Sequence, residues 1–371
     1  MKFGRRAPLL SVVVPVYDVA DYLPACLESL LAQTYRPLEV VVVDDGSTDG
    51  SGAIADEWAA RHDELRVVHT DNHGLGAARN TGVAHARGEL LAFADSDDVV
   101  PPTAYDALAR ALRGRGVDLA TGSIVRWEGD ALVEPPWMRR LHRERRTVAI
   151  EEHPEVLGDV FAWNKLVRRS FWDDQGLSWP EGLRYEDQPT TTRAFLAARR
   201  FAVLPEVVYH WRIRSDGSSI TQQRSSVEDL RDRWVTKQMS LASVREHGSP
   251  AVTEVFLDRV LAGDLHRYFT EIPGCDDEWW ALLHEGVASL WGERSLVHSG
   301  LTPVHRLTGW LVEQGRRADA AAVMTYVAQH PWPVPRRDTP AGAVIDVPLG
   351  DDPDGTAPVP HEAVALRAHE R

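Results

Sequence analysis

Four apolar runs spaced by helix-length stretches decide what this chain can fold into. Residues 9–17 are β-branched and nearly all apolar, the composition of a central parallel strand covered on both faces. Residues 38–43, 65–69 and 89–93 repeat the pattern as short buried strands. Between the first two lies a helix over about 20–33, with Leu23, Leu27, Leu30 and Leu31 on one face and Pro37 at its exit. The next helix runs through Ile54 and Trp58, and 74–82 starts a third. Strands alternating with helices predict a doubly wound α/β domain. At 371 residues, with 43% hydrophobic and 26% charged residues, the chain has room for a second domain.

The fourth run ends in Phe93-Ala94-Asp95-Ser96-Asp97-Asp98, placing carboxylates just past a strand end. In open α/β sheets that carboxyl edge is where ligands bind. Asp95 and Asp97 repel each other unless a cation lies between them, and Mg²⁺ or Mn²⁺ carrying a diphosphate suits the position. Helix capping by Ser96 or Asp98, ahead of Pro101-Pro102, is the structural alternative. Asp44 to Asp56 nearly fits a calcium loop. Ser47 and Asp56 stand where carboxylate and bidentate glutamate are needed, and a strand flanks the loop, so a nucleotide-holding loop fits better. Gly74 and Gly76 lack dinucleotide-fingerprint spacing; they suit either close backbone approach to an anion at a helix N-terminus, with Arg79 one turn in for phosphate or carbonyl oxygens, or a surface helix start with a solvated Arg.

Further along, Glu186-Asp187 precedes Pro189 and a helix over 190–200. Asp187 is either that helix's cap or a general base with a second carboxylate beside it. Arg212 and Arg214, with the hydroxyl-rich loop after them, suit either a diphosphate leaving group or a solvated basic turn. The segment 137–146 is basic and bulky, either a loop near substrate or an irregular edge. Ser226 and Asp229 resemble a capping box opening a mostly helical region, with helices over 256–269, 279–291, 301–314 and 318–330. Residues 331–371 hold 8 of the 23 prolines and are expected to form a disordered tail.

A net charge of −14 argues against a general nucleic-acid binder. Cys26 and Cys275 form no ligand spacing, which suits a reduced cytoplasmic setting. No apolar run approaches the ~20 residues that span a bilayer, and Arg5-Arg6 before 9–16 reads as the approach to a strand rather than an export signal.

Five motifs in order resemble the family 2 inverting glycosyltransferases of GT-A fold. They are Val14-Pro15-Val16-Tyr17, Val43-Asp44-Asp45-Gly46-Ser47-Thr48-Asp49, Gly76-Ala77-Ala78-Arg79-Asn80-Thr81-Gly82, Asp95-Ser96-Asp97-Asp98 and Glu186-Asp187. Asn164-Lys165 and the Arg212 to Thr221 ending are similar to bacterial wall teichoic acid and capsule enzymes. The resemblance implies a GT-A domain over 1–222 on a mixed sheet; the chain's own pattern adds a helical domain over 223–330 and the tail. The resemblance also implies that Pro15, Tyr17 and Asp45 hold uracil, and that Asn72 and Arg79 complete the nucleotide pocket. Asp95 would contact the ribose side, with Ser96 beside it, and Asp97 the metal. Arg212, Arg214 and Ser219 would close over the diphosphate, and Asp187 would be the base with Glu186 next to it. The implied donor is a UDP-sugar (GlcNAc before glucose or galactose), used with Mn²⁺ or Mg²⁺. The implied acceptor is a hydroxyl of a wall polymer or polysaccharide, at or near the cytoplasmic face of the membrane. The helical region is a candidate homo-oligomer contact.

Two rival functions are weighed against this. A sugar-1-phosphate nucleotidyltransferase needs a Gly-rich basic loop after the first strand, where this chain has the acidic, glycine-free Val16-Tyr17-Asp18-Val19-Ala20-Asp21. A non-catalytic nucleotide-sugar-binding scaffold for wall-polymer assembly would carry the same motifs and release no UDP.

Overall fold

The computed structural model describes residues 6–214, 226–330, 333–350 and 358–370. They fall into two compact units, Met1–Ser219 with Glu246–Gly248, and Ile220–Arg245 with Ser249–Arg371.

The first unit opens with β1 (Leu10–Val16), α1 (Leu23–Leu31), β2 (Leu38–Asp45), α2 (Ser51–Ala59), β3 (Leu65–Thr70), α3 (Leu75–His85) and β4 (Leu90–Phe93). It continues through α4 (Ala104–Ala111), β5 (Val117–Glu128), β6 (Ala131–Val133), α5 (Pro136–Leu141), β7 (Arg146–Val148), β8 (Lys165–Arg168), α6 (Arg169–Asp174), α7 (Asp187–Ala197) and β9 (Arg200–Arg212). One mixed sheet results, in the order β3-β2-β1-β4-β8-β5-β9-β7, with β6 paired to β5. Every residue of β1 is buried, as its apolar run requires, because parallel β2 and β4 flank it and helices cover the sheet. β8 runs antiparallel to both β4 and β5, and β9 runs parallel to β5. The C-terminal ends of β4, β5 and β9 therefore emerge at one edge of the sheet.

Two helix starts differ from the sequence reading. α1 begins only at Leu23, because the N–H groups of Tyr22 and Leu23 both go to the Val19 carbonyl in a turn. α7 begins at Asp187 rather than Thr190. Pro189 falls in its first turn, where a missing N–H costs nothing.

The second unit contains α8 (Val227–His247), α9 (Pro250–Val255), a π-helical turn (Phe256–Leu261), α10 (Ala262–Phe269), α11 (Asp277–Trp291), α12 (Pro303–Glu313) and α13 (Arg317–Gln329). The Asp229 N–H donates to Ser226 Oγ at 3.1 Å, one half of a capping box. Where a disordered tail was expected, residues 333–350 and 358–370 carry regular structure. β10 (Arg336–Thr339) and β11 (Gly342–Ile345) form a hairpin, followed by α14 (His361–Val364). Val334, Val344, Ile345 and Leu366 are buried, and fully enclosed Arg306 of α12 donates to both Glu370 oxygens at 2.6 and 2.9 Å. Proline content argues for disorder only where little apolar surface can be buried, and here four side chains and an ion pair anchor the segment. Among the described residues, no helix is long and apolar enough to cross a membrane.

Candidate active site

The turn after β4 is tied to the end of β9 from three directions. The Asp95 N–H donates to the Tyr209 hydroxyl at 2.9 Å, and the Arg212 N–H donates to Asp98 Oδ1 at 2.7 Å. Arg212 Nε donates to the Asp97 carbonyl at 2.8 Å, and Arg214 Nε to Asp97 Oδ2 at 2.7 Å. The Arg212 guanidinium lies 4.0 Å over the Trp127 ring, and those of Arg212 and Arg214 lie 5.4 and 5.0 Å from Tyr22. Burial is the main force raising the Asp97 carboxyl above the usual range; Arg214 opposes it and Asp95 adds to it. Asp98 is raised further, by burial and then by Asp97 and Asp95, and serves as the tie to β9 rather than as an open ligand.

Arg79 connects this edge to a second carboxylate pair. Its guanidinium is 2% exposed, donates to Asp95 Oδ1 at 2.7 Å and to Glu186 Oε1, and lies 5.1 Å over the Trp179 ring. Glu186 is 107 positions away in sequence. Burial would lower the Arg79 pKa, but Asp95 and Glu186 outweigh it and raise it. Burial pushes the Glu186 carboxyl up to about 7; Arg79 pulls it down and Asp187 pushes it further up. The residue expected to line a nucleotide pocket is thus enclosed between two carboxylates. Guanidinium chemistry is what that requires, since a planar fork serves two acceptors where an ammonium serves one direction at a time. Gly76 makes the arrangement fit: a Cβ there would sit 2.0 Å from the Pro180 carbonyl oxygen. What approaches this glycine is the loop that delivers Glu186. Asp187 occupies the first helical position of α7, half-buried, with its Oδ1 2.8 Å from the Gln188 N–H.

At the other end of the crevice, Pro15 is buried within β1, and Tyr17 is 49% exposed beyond it. Asp18 takes a left-handed conformation (φ 48°), and its Oδ1 accepts the N–H groups of Thr48 at 2.7 Å and Asp49 at 3.3 Å. Asp45 is buried. Its Oδ1 accepts the Thr70 hydroxyl at 3.2 Å and the His73 N–H at 3.0 Å; its Oδ2 accepts the Gly74 N–H at 2.8 Å. Exposed Asn72 stands beside Gly46, where a Cβ would sit 2.9 Å from the Asn72 backbone nitrogen. Ser96 is buried in the turn after β4, and Ser219 lies outside the described residues.

Several structural partners escaped the sequence reading. Tyr209 looks like one more strand residue, and Trp179 like core, until the fold sets one against Asp95 and the other under Arg79. Asn164-Lys165 stands out in the sequence, yet its partners do not. Lys165 Nζ pairs with Asp159 Oδ1 at 2.9 Å and donates to the Phe161 carbonyl at 2.7 Å. Asp159 also meets Thr121, His142 and Asn164. Burial lowers the Lys165 pKa, and Asp159 limits the fall.

Among the described residues, no three His, Cys, Asp or Glu side chains converge on a metal site. Asp95 and Asp97 are hard oxygen donors at a crowded, cation-seeking edge. That donor set fits Mg²⁺ or Mn²⁺ only when a diphosphate supplies further oxygens.

A sheet with its carboxylates and arginines gathered at the carboxyl edge defines a nucleotide-binding type of α/β domain. A family model described as glycosyl transferase family 2 matches residues 11–174. Glycosyltransferase GlyG of Streptococcus pneumoniae is 30% identical over 221 residues, 56% of this chain and 71% of that protein. The chain belongs to glycosyltransferase family 2. The poly(ribitol-phosphate) beta-glucosyltransferase of Bacillus spizizenii is 27% identical over 223 residues, 57% of this chain and 33% of that protein. The chain spans 61% and 64% of the length of two further curated glycosyltransferases from Bacillus subtilis. The structure of S. aureus TarS 1–349 in complex with UDP-GlcNAc has the same fold, with a TM-score of 0.71 at 20% identity, covering 92% of this chain and 99% of that one.

Proposed function

We propose that the chain transfers a sugar, GlcNAc first among candidates, from a UDP-sugar to a hydroxyl of a cell-wall polymer or polysaccharide, inverting the anomeric carbon. The observation that carries this is the Arg79 bridge, which brings Asp95 of one motif and Glu186 beside Asp187 of another into one cluster. The GlcNAc preference draws on the UDP-GlcNAc bound by the TarS neighbour, and the acceptor on the poly(ribitol-phosphate) named for the B. spizizenii relative.

Asp187 takes the proton of the acceptor hydroxyl, whose oxygen attacks the anomeric carbon as the bond to the diphosphate breaks and UDP leaves. The oxocarbenium-like transition state parallels that of glycoside hydrolysis. Glu186, held against Arg79, places a second negative charge beside Asp187 and so raises its basicity. Arg212 and Arg214 neutralise charge on the departing diphosphate, Arg214 exchanging Asp97 for a phosphate oxygen. Asp97, together with the diphosphate, would hold Mg²⁺ or Mn²⁺, which would supply further charge neutralisation. Pro15, Tyr17 and Asp45 border the uracil, with Asn72 at the remainder of the nucleotide pocket.

The test is UDP release from a panel of UDP-sugars with and without Mn²⁺ or Mg²⁺. Sugar-selective, metal-dependent turnover that falls about 10²–10⁴-fold in Asp187→Asn is the expected result. Undiminished turnover in that variant means the base is misassigned. UDP-sugar binding without turnover on any wall-polymer acceptor favours the scaffold.

A further inference from the structure

A partly covered aromatic surface borders the donor edge, and no step above uses it. Because β4, β5 and β9 end together, Arg126 of β5, Trp211 of β9 and the loop entering β8 all emerge at the same edge of the sheet as Asp95 and Asp97. Trp137 of α5, Phe161 and Trp211 pack on the core while remaining partly open. The Phe161 ring lies 5.8 Å from Trp137 and 5.7 Å from Trp211, and the Arg126 guanidinium 5.1 Å over Trp211.

Two fixed connections join this shelf to the reaction centre. Trp163 stacks on Phe161 at 4.3 Å and on Tyr209 at 4.1 Å, and the Tyr209 hydroxyl accepts the Asp95 N–H. On the other side, the hydroxyl of Thr191 in α7, the helix that Asp187 begins, lies 2.9 Å from the Asp187 carbonyl and 3.1 Å from that of Val160, one residue before Phe161.

The charge beside the shelf runs against that of the whole molecule. Residues 137–146 hold five arginines and one glutamate in a chain of net charge −14. Arg139, Arg145 and Arg146 are paired with Glu134, Glu206 and Glu144, whereas Arg140 and Arg143 are exposed. Ring faces suit the C–H faces of sugars and polyols, and guanidinium groups select phosphates. Resting on the transferase reading above, we infer that the shelf receives the acceptor, an anionic polymer of hydroxylated, phosphate-linked units. Its phosphates lie near Arg140 and Arg143, and its attacking hydroxyl is directed toward Asp187.

The experiment is calorimetric titration of the full chain with a ribitol-phosphate oligomer and with a neutral oligosaccharide of equal length. The expected result is binding of the phosphate oligomer that weakens as salt rises, with the neutral chain bound far more weakly. The double variant Arg140→Glu/Arg143→Glu should lose about tenfold in oligomer affinity, and Trp137→Ala should also weaken it. Equal affinity in wild type and charge variant, equal binding of the neutral chain, or no oligomer binding overturns the inference. UDP titrated into the same samples reads the donor site alone. Its binding shows that the variants are folded, and its absence in wild type counts against the transferase reading, not against the shelf.

Discussion

Arg79 is a buried cation whose two partners come from different motifs. Removing it leaves Glu186 buried without its counter-charge. Breaking a buried pair this way costs about 3–5 kcal/mol, so Arg79→Met should lower the urea-unfolding free energy by that order. Arg79→Lys should recover little, since one ammonium cannot reproduce the planar fork. Glu186 supplies the pH signature. Its folded pKa of about 7 lies above the ordinary 4.5, so between those values the folded chain holds a proton that the unfolded chain has released. Its contribution to stability is therefore present at low pH and declines as pH rises from 4.5 through 7. Activity moves the other way, because ionised Glu186 makes Asp187 a stronger base. A rising limb of kcat/KM near pH 7 that disappears in Glu186→Gln is the expected profile.

At the scale of elements, the junction between α3 and the loop before α7 aligns the two halves of the site. Alanine in place of a glycine inside a helix ordinarily gains up to about 1 kcal/mol, and less in the first turn of α3, where Gly76 lies. At Gly76 the added Cβ meets a backbone oxygen at 2.0 Å, and overpacking costs of about 1–3 kcal/mol outweigh that gain. Gly76→Ala should destabilise the first unit in thermal unfolding. It should also reduce kcat more than it raises donor KM, because the displaced loop carries Glu186 and Asp187. A stabilised, fully active variant would show that the loop yields without moving the carboxylates. From sequence, Gly74 and Gly76 suggested a backbone approach to an anion at a helix N-terminus; the neighbour that Gly76 admits is the Pro180 carbonyl, and a Cβ at Gly74 would meet nothing within 4 Å.

At the scale of the molecule, the helical unit depends on the end of the chain. Arg306 is fully enclosed and its charge is met by Glu370. Glu370→Ala should destabilise this unit by about 3 kcal/mol or more, seen as faster proteolysis within α12 and α13 or a lowered unfolding transition. An unchanged transition would mean that the buried hairpin residues alone hold the segment.

The strand–helix alternation, the carboxylate clusters at strand ends and the helices of the second unit were legible from the chain alone. Periodicity and turn chemistry are local, and each of those elements rests on residues close together in sequence. The pairing of Arg79 with Asp95 and Glu186, the fastening of Asp95 by Tyr209, and the anchoring of 358–370 on Arg306 were not legible. Each joins residues far apart in sequence, and a buried charge finds its partner only when the sheet order brings the two together. Local sequence determined which chemistry stands at the carboxyl edge; tertiary structure decided which charges face one another there, because pairing depends on burial and direction that no local pattern records.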